Sequence, residues 1–490
     1  MKVLLSWLRE FAPFEGDPVA LGETMSDLGM AVESLDRLGE GLDGIVVARV
    51  LGLRPHPDAD RIQLVDVDAG DGEALQICCG AFNMSVGDLV PLATLGTTMP
   101  DGMEISRRKM RGEWSNGMLC SGRELGLGDD HSGILVLGGD AAPGTEVTTA
   151  LGITQDVLYD LEINPNRPDA MSVAGVARDL AARMRLPFAI PEPQVVESGA
   201  PAADSARVEI LDPDGCGRFV ARVLRGVQVG ESPAWLASRL TALGMRPINS
   251  VVDASNYVML ELGQPNHAYD LARLGGGGLR VRRARDGETL VTLDDVERTF
   301  DGDDLLICDL DDTPHGIAGV MGGAAAEVSA STSDVLLELA WFDPLAVART
   351  SRRLGLRSEA SARFEKGTDS QVLELAARRF AALLGGSASL APGVIDERGD
   401  LPELPRVRVR TSRANQVIGV DLAPAQIADL LTPLGFEVEA DGDDHSVVVP
   451  SFRPDTETEI DVIEEIARHH GYSRIPKRVP RSPLNGHLTV

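Results

Sequence analysis

The apolar positions of this chain follow two periods, and the switches between them mark out its elements. Residues 20–30, ALGETMSDLGM, read as an amphipathic helix stopped at Gly29 and followed by the extended AVESL. The same succession of helix, Leu-Gly stop and strand returns in RLTALGMRPINSVV and DLLTPLGFEVEA. Gly29, Gly244 and Gly435 each fall where a helix end calls for a left-handed backbone, which glycine adopts at least cost. From 44 to 149 the pattern shortens to β-rich runs: GIVVARVLGLRPH, RIQLVDVDAG, EALQICCG, DLVPLATLG and MEISRRKMRG. Gly, Asp and Pro separate them, and five such strands suit a small barrel of the OB type. VLYDLEINPNRPDAMSVAGVARDLAARMRLP then predicts a strand, a Pro-rich turn and a helix from Ala170 to Met184.

Residues 189–206 are a linker rich in Pro, Ala, Ser and Gly. Beyond it, 207–395 read as a larger α/β unit, closed by the regular helical stripe of VLELAARRFAALLGG. DERGDLPELP is a second break. The compact unit that follows runs from RVRVRTSRANQVIG to TEIDVIEEIARHHGY.

A length of 490 residues implies three or four domains rather than one core. Aromatic residues make up only 4%, so the cores must be built mainly from Leu, Val, Ile and Ala. The net charge of −29 excludes a generally basic nucleic-acid coat, yet leaves room for a local basic groove. Cys78, Cys79, Cys120, Cys216 and Cys308 are odd in number and match no zinc or CxxC spacing. They read as reduced thiols of a cytoplasmic protein. MKVLLSWLREFAPF lacks the apolar length of a signal peptide, and no stretch reaches the length needed to span a bilayer.

Four groups of residues carry candidate chemistry. ISRRKMRGEWSNGMLCS gathers Arg107, Arg108, Lys109 and Arg111 near Trp114, a combination suited to phosphate contact and base stacking. A solvated basic loop is the bland alternative. ELGQPNHAYD presents His267 after Gly263 and Pro265, so the histidine is expected on a turn, either as a binding group or as a hydrogen-bonded structural residue. VLLELAWFDP sets Glu338 in an apolar run, where it is costly to bury unpaired and either faces water or waits for a ligand. In LRSEASARFEKG, Ser358, Glu359 and Ala360 could line a cavity, while Arg363, Glu365 and Lys366 could form an exposed helix face. Near the end, Asp461, Glu464 and Glu465 stand at i, i+3 and i+4, and Asp455 precedes their helix. Such acids could hold magnesium or form an ordinary acidic helix face. GIAGVMGG is neither a P-loop nor a dinucleotide fingerprint, and no G-x-S-x-G elbow or adjacent Ser-His or Cys-His pair suggests covalent catalysis.

Taken in order, HPDADRI, DGMEISRRKMRGEWSNGMLCS, ELGLGDDHSGI, EINPNRPD, GVARDLA, VVDASNYVMLELGQPNHAYD, VMGG, ASARFEKGTD and PSFRPDTETEIDVIEEIARHHGY make the chain resemble the β subunits of bacterial phenylalanyl-tRNA synthetase. The resemblance implies a multidomain α+β protein. A split N-terminal α/β piece (1–40 and 151–190) would hold an inserted OB-fold tRNA-binding domain (41–150). A B3/B4 editing module (207–395) and a winged-helix-like B5 domain (402–475) would follow, with 476–490 leading into a synthetase-like domain. That domain and the family's anticodon-binding domain are not in the sequence, so it is expected to be a truncated chain or the front of a longer one.

By the same resemblance, the subunit hydrolyses tyrosine wrongly attached to tRNA(Phe), within an α2β2 tetramer whose α subunit performs ATP-dependent attachment of phenylalanine. His267, Glu338, Ser358, Ala360 and Arg246 fall on the editing pocket, with Glu338 meeting the phenol and Ala360 leaving room for the ring. Asn266 stands for the family's Met, Ser358 for its Thr and Glu359 for its Asp. Asp455, Asp461, Glu464 and Glu465 fall on a magnesium site. The alternative is a noncatalytic tRNA-binding scaffold that has lost editing.

Overall fold

The computed structural model describes residues 1–127, 130–153 and 155–477, so the expected lead into a further domain lies, from 478 onward, outside the described residues. The chain forms two compact units, one of residues 36–158 and one of 1–35 with 159–490.

In the first unit, the strands Ala74–Cys79, Ala59–Asp68, Ile45–His56, Leu89–Ala93 and Met118–Leu119 form one antiparallel sheet in that spatial order. Its apolar positions Val50, Val65, Val67, Ile77 and Leu92 share one core, while Ile45 and Ala93, and Val47 and Leu89, pack into two smaller clusters beside it. Four of the five strands match the β-rich runs of the sequence. The fifth does not: MEISRRKMRG supplies a separate hairpin, Arg108–Met110 with Glu113–Ser115, and the sheet takes Met118–Leu119 instead. A run of Arg107, Arg108, Lys109 and Arg111 cannot enter a buried sheet without leaving charges unpaired.

The second unit begins with a three-stranded sheet in which Asp156–Ile163 lies between Lys2–Leu4 and Met30–Leu38. The helix Val173–Met184 follows, started by Ser172, whose hydroxyl accepts the Gly175 N–H at 3.0 Å. All three glycines of the Leu-Gly stops have positive φ, at +83° for Gly29, +87° for Gly244 and +95° for Gly435.

Residues 207–398 build two larger sheets beside a two-stranded hairpin of Thr289–Val291 with Glu297–Thr299. One runs Arg207–Ile210, Gly278–Arg283, Leu305–Asp309, Pro314–Ile317 and Met321–Gly322. The other centres on Val335–Phe342, flanked by Asn266–Asp270 and Cys216–Arg225, with Ser389–Leu390 and Ile395–Arg398 beside the latter. Every residue of Val335–Phe342 is buried, because the strand is covered on both faces. Leu337 and Leu339 join Val251, Val258 and Phe380 of the helices Ser250–Leu262 and Leu373–Leu384. Leu336 and Ala340 point the other way, into a core with Leu279, Val281, Leu306 and Ile307 of the first sheet. Side chains alternate along a strand, so Glu338 must share the face of Leu336 and Ala340, between the sheets.

Residues 406–470 form a three-stranded antiparallel sheet, Arg406–Val409, Asp444–Val448 and Glu437–Asp441, against the helices Thr411–Ile418, Pro424–Leu431 and Glu459–His470. Ile463 and Ile466 of the last helix are buried as its stripe requires, but Ile460 is exposed and Val462 takes the inward place.

Candidate functional site

Pairing of Asn266–Asp270 with Val335–Phe342 sets His267 directly opposite Glu338. His267 therefore lies on a strand, and the turn expected for it is made by the preceding Gly263–Pro265. A cavity of about 70 Å3 opens here, with room for several waters. Asn266, His267, Tyr269, Glu338, Ala360 and Phe364 line it, together with Gly316, Ile317 and residues 319–322 of the glycine turn. The structure thus brings His267, Glu338 and Ala360 to one cavity. Glu338 is 6% exposed, so it neither faces water nor stands alone: Oε2 accepts the Tyr269 hydroxyl at 2.7 Å. The Tyr269 ring meets the His267 ring edge-on, 4.5 Å between centroids.

GIAGVMGG is explained by this packing. A Cβ on Gly322 would lie 2.7 Å from His267 Nε2, so glycine is needed to admit the imidazole rather than a phosphate. Gly322→Ala is expected to push His267 from its place and to slow any reaction at the cavity by tenfold or more, through loss of a positioned group. The crystal structure of that variant, read beside its rate, checks this.

The electrostatics are those of a dry site. Burial pushes the Glu338 carboxyl up to about 7, against the opposing pull of the Tyr269 hydrogen bond. Burial lowers His267 to about 4, so its ring is neutral at physiological pH. His267 Nε2 and Asn266 Oδ1 are buried beside the cavity without a hydrogen-bond partner. Unsatisfied buried polar atoms are uncommon and mark a place where a ligand completes the bonding.

Two expected pocket residues sit elsewhere. Arg246 is exposed and does not line the cavity; it lies between the Gly244 helix stop and the helix Ser250–Leu262. Ser358 is set one layer back. Its hydroxyl donates to Val320 O at 2.6 Å and accepts the Ser361 N–H at 3.0 Å, so it starts the helix Glu359–Phe364 that carries Ala360. Glu359 is exposed, whereas Arg363, expected on an open helix face, is buried and donates to Met171 O at 3.1 Å. Sequence reasoning missed Tyr269. Its signal was available, since an aromatic hydroxyl two residues from His267 must share its strand face.

On the other unit, Arg107, Arg108, Lys109 and Arg111 are all exposed on the 108–115 hairpin. The guanidinium of Arg107 sits 4.6 Å from the Trp114 ring centroid and the Lys109 ammonium 5.7 Å, so the cations cluster over one aromatic face. His56, buried, fixes the hairpin through Met110 O at 3.0 Å. If these four cations contact phosphates, replacing them together should lower the slope of log affinity against log salt by up to about 3 for tRNA. Filter-binding titrations at several salt concentrations measure that slope, and an unchanged value leaves the hairpin a solvated loop.

Comparison with known proteins agrees with this layout. Residues 45–146 match the tRNA binding domain family, 215–388 the B3/4 domain and 407–472 the tRNA synthetase B5 domain. The phenylalanine–tRNA ligase beta subunit of Anaeromyxobacter dehalogenans is 47% identical over 483 residues, which is 98% of this chain and 60% of that protein. Those of Salinibacter ruber and Moorella thermoacetica are each 44% identical, over 98% and 100% of this chain and 60% and 61% of theirs. The chain belongs to the phenylalanine–tRNA ligase beta subunit family. It spans about 60% of the length of these relatives. A solved N-terminal fragment of the phenylalanyl-tRNA synthetase β subunit from Pyrococcus horikoshii is 16% identical, with a TM-score of 0.36 over 65% of this chain and 88% of that one; so low a score supports no comparison of folds.

The acids that resemblance to these beta subunits assigns to magnesium are arranged otherwise. No three of Asp455, Asp461, Glu464 and Glu465 bring a ligand atom each within 4.8 Å of one another; among the described residues that closeness is reached by Asp179, Glu465 and His469. Arg453 holds both Asp455, at 2.8 Å, and Glu465, at 2.9 Å. Asp461 accepts the Thr458 N–H and hydroxyl at the helix start, and Glu464 is exposed.

The Asp179 group is no better as a metal cage, because its charge is already matched. Arg468 donates to Asp179 at 2.5 and 2.9 Å and to Glu465 at 2.5 Å, and Arg167 reaches Asp179 at 3.2 Å. Burial alone would raise Asp179, yet Arg167 and Arg468 hold it well below the usual carboxylate range. Neither set, as arranged here, presents the free oxygens magnesium needs.

Proposed function

We propose that this chain is the tRNA-binding and editing part of a phenylalanyl-tRNA synthetase β subunit, and that it hydrolyses Tyr-tRNA(Phe) in the cavity of His267, Glu338 and Ala360. In this reading an α subunit of an α2β2 tetramer, in the cytoplasm, attaches phenylalanine to tRNA(Phe) with ATP and magnesium. The domains follow as 1–40 with 151–190, 41–150, 207–395 and 402–475. The observation that carries the reading is the convergence of a buried acid, a neutral histidine with a free nitrogen and a small residue on one cavity.

Tyrosine differs from phenylalanine by one hydroxyl. A synthetic pocket that is mainly apolar rejects that addition poorly, whereas a second site that pairs with it prefers tyrosine, because phenylalanine would leave a buried polar group unmet. Glu338 supplies the acceptor and Ala360 the space for the ring. His267 Nε2 orients water or the ester carbonyl. The chain's own nucleophiles are out of use: burial raises the thiol of Cys308 to about 12 and that of Cys216 further, and the Ser358 hydroxyl is committed to Val320. The water is therefore the attacking group.

His267→Ala in the full tetramer should slow single-turnover release of tyrosine by about 10- to 1,000-fold, the range for losing a positioned polar group in a transition state. Unchanged release would return His267 to a structural role.

A further inference from the structure

We infer that Tyr269 is a positioning and specificity-determining residue of the editing site, its hydroxyl setting which oxygen of Glu338 meets the substrate phenol. The inference rests on the editing reading and deepens it. Tyr269 is 1% exposed and stands on the same strand face as His267, two pairs along from the His267–Glu338 pair. Its hydroxyl donates to Glu338 Oε2 at 2.7 Å, and Oε1 accepts no hydrogen bond from the described residues. A buried carboxyl on a strand can rotate about its last bond, so one fixed oxygen is what gives the other a defined direction. Gly316 makes room for this contact: a Cβ there would lie 3.2 Å from the Tyr269 hydroxyl. The protein thus holds one phenol against Glu338 and leaves the second oxygen for a ligand that can do the same. A phenylalanine ring offers no such donor.

Protonation decides whether Oε1 accepts. The titratable groups around Glu338 are His267 and Tyr269 across the strand pair and Cys216 on the strand at its other side; Cys308 of the facing sheet lies near Tyr269. His267, lowered to about 4, is neutral through the physiological range, and burial raises both thiols and Tyr269, so none of them changes charge near neutrality. Glu338, raised to about 7, does. An ionised carboxylate exists above that value, so preference for tyrosine should grow as pH rises through about 7. The Tyr269 hydrogen bond opposes the upward shift, so its removal should move the acid limb to higher pH.

The test is single-turnover deacylation of Tyr-tRNA(Phe) and Phe-tRNA(Phe) by the tetramer from pH 6 to 8.5, with wild type, Tyr269→Phe and Glu338→Gln. Tyr269→Phe is expected to lower the tyrosine preference about tenfold at pH 7, as one hydrogen bond to a charged group allows, and to shift the acid limb upward. Glu338→Gln should lose that limb. A Tyr269→Phe enzyme with wild-type preference and wild-type pH profile overturns the assignment while leaving the editing reading intact. If wild type itself releases no tyrosine, the editing reading fails instead, and calorimetric binding of L-tyrosine and L-phenylalanine decides on Tyr269: equal selectivity in wild type and Tyr269→Phe overturns it.

Discussion

Ala360→Trp is expected to abolish Tyr-tRNA(Phe) hydrolysis, a loss of at least a hundredfold on the scale of losing the oriented substrate, while leaving the protein folded. Ala360 lies on the helix Glu359–Phe364, partly exposed at the cavity and packed at the edge of the core that Phe342 and Phe364 share. An indole there would project into the cavity that His267 and Glu338 line rather than into a closed core. Overpacking of a closed core would cost about 1–3 kcal/mol, whereas this side chain can displace the water in the cavity. The expected result is a normal thermal transition with tyrosine release lost. Release at the wild-type rate would mean that the ring does not bind beside Ala360.

The second large effect concerns stability. Arg468→Met removes the guanidinium that joins Asp179 to Glu465 and that also reaches Leu28 O at 3.2 Å. All three ionic side chains are buried. Breaking a buried ion network by removing one partner leaves an uncompensated charge, which costs about 3–5 kcal/mol. Denaturant titration of the variant should show a midpoint lowered accordingly, and Asp179→Asn combined with Arg468→Met should cost less than the sum of the two. The pH dependence has a definite sign. Asp179 and Glu465 are held below their ordinary values by the arginines, so their contribution is present above the unfolded carboxylate range and is lost as pH falls through the folded one. His469, lowered by burial despite its contact with Asp179, works in the same direction, since acid must charge a buried ring. Wild type should therefore lose stability on acidification more steeply than the Arg468→Met protein.

Much of the fold was legible because it rests on local rules. The Leu-Gly stops need a left-handed residue wherever they occur, and Gly29, Gly244 and Gly435 all adopt it. Four strands of the 36–158 unit follow from β-rich runs broken by turn residues. Misreadings came where tertiary partners decide. An acid in VLLELAWF has two local explanations, and neither includes the Tyr269 hydroxyl that reaches it across a strand pair. Glu465 looked like part of an acidic helix face, but Arg453 and Arg468, one from a preceding loop and one from the next helical turn, draw it inward. Arg363 looked exposed for the same reason: its acceptor, Met171 O, is nearly two hundred residues away. The arrangement of His267, Glu338 and Ala360 comes from three distant segments, and only the family pattern joined them in advance.

The most direct test of the editing account is a comparison of tyrosine and phenylalanine release from preformed Tyr-tRNA(Phe) and Phe-tRNA(Phe) by the wild-type tetramer, with Glu338→Ala beside it, under single-turnover conditions at pH 8. The account predicts that wild type releases tyrosine faster than phenylalanine by about tenfold or more, as a paired hydroxyl allows, and that Glu338→Ala brings the two rates together. Equal rates in the wild type, or a tyrosine preference untouched in Glu338→Ala, would contradict it.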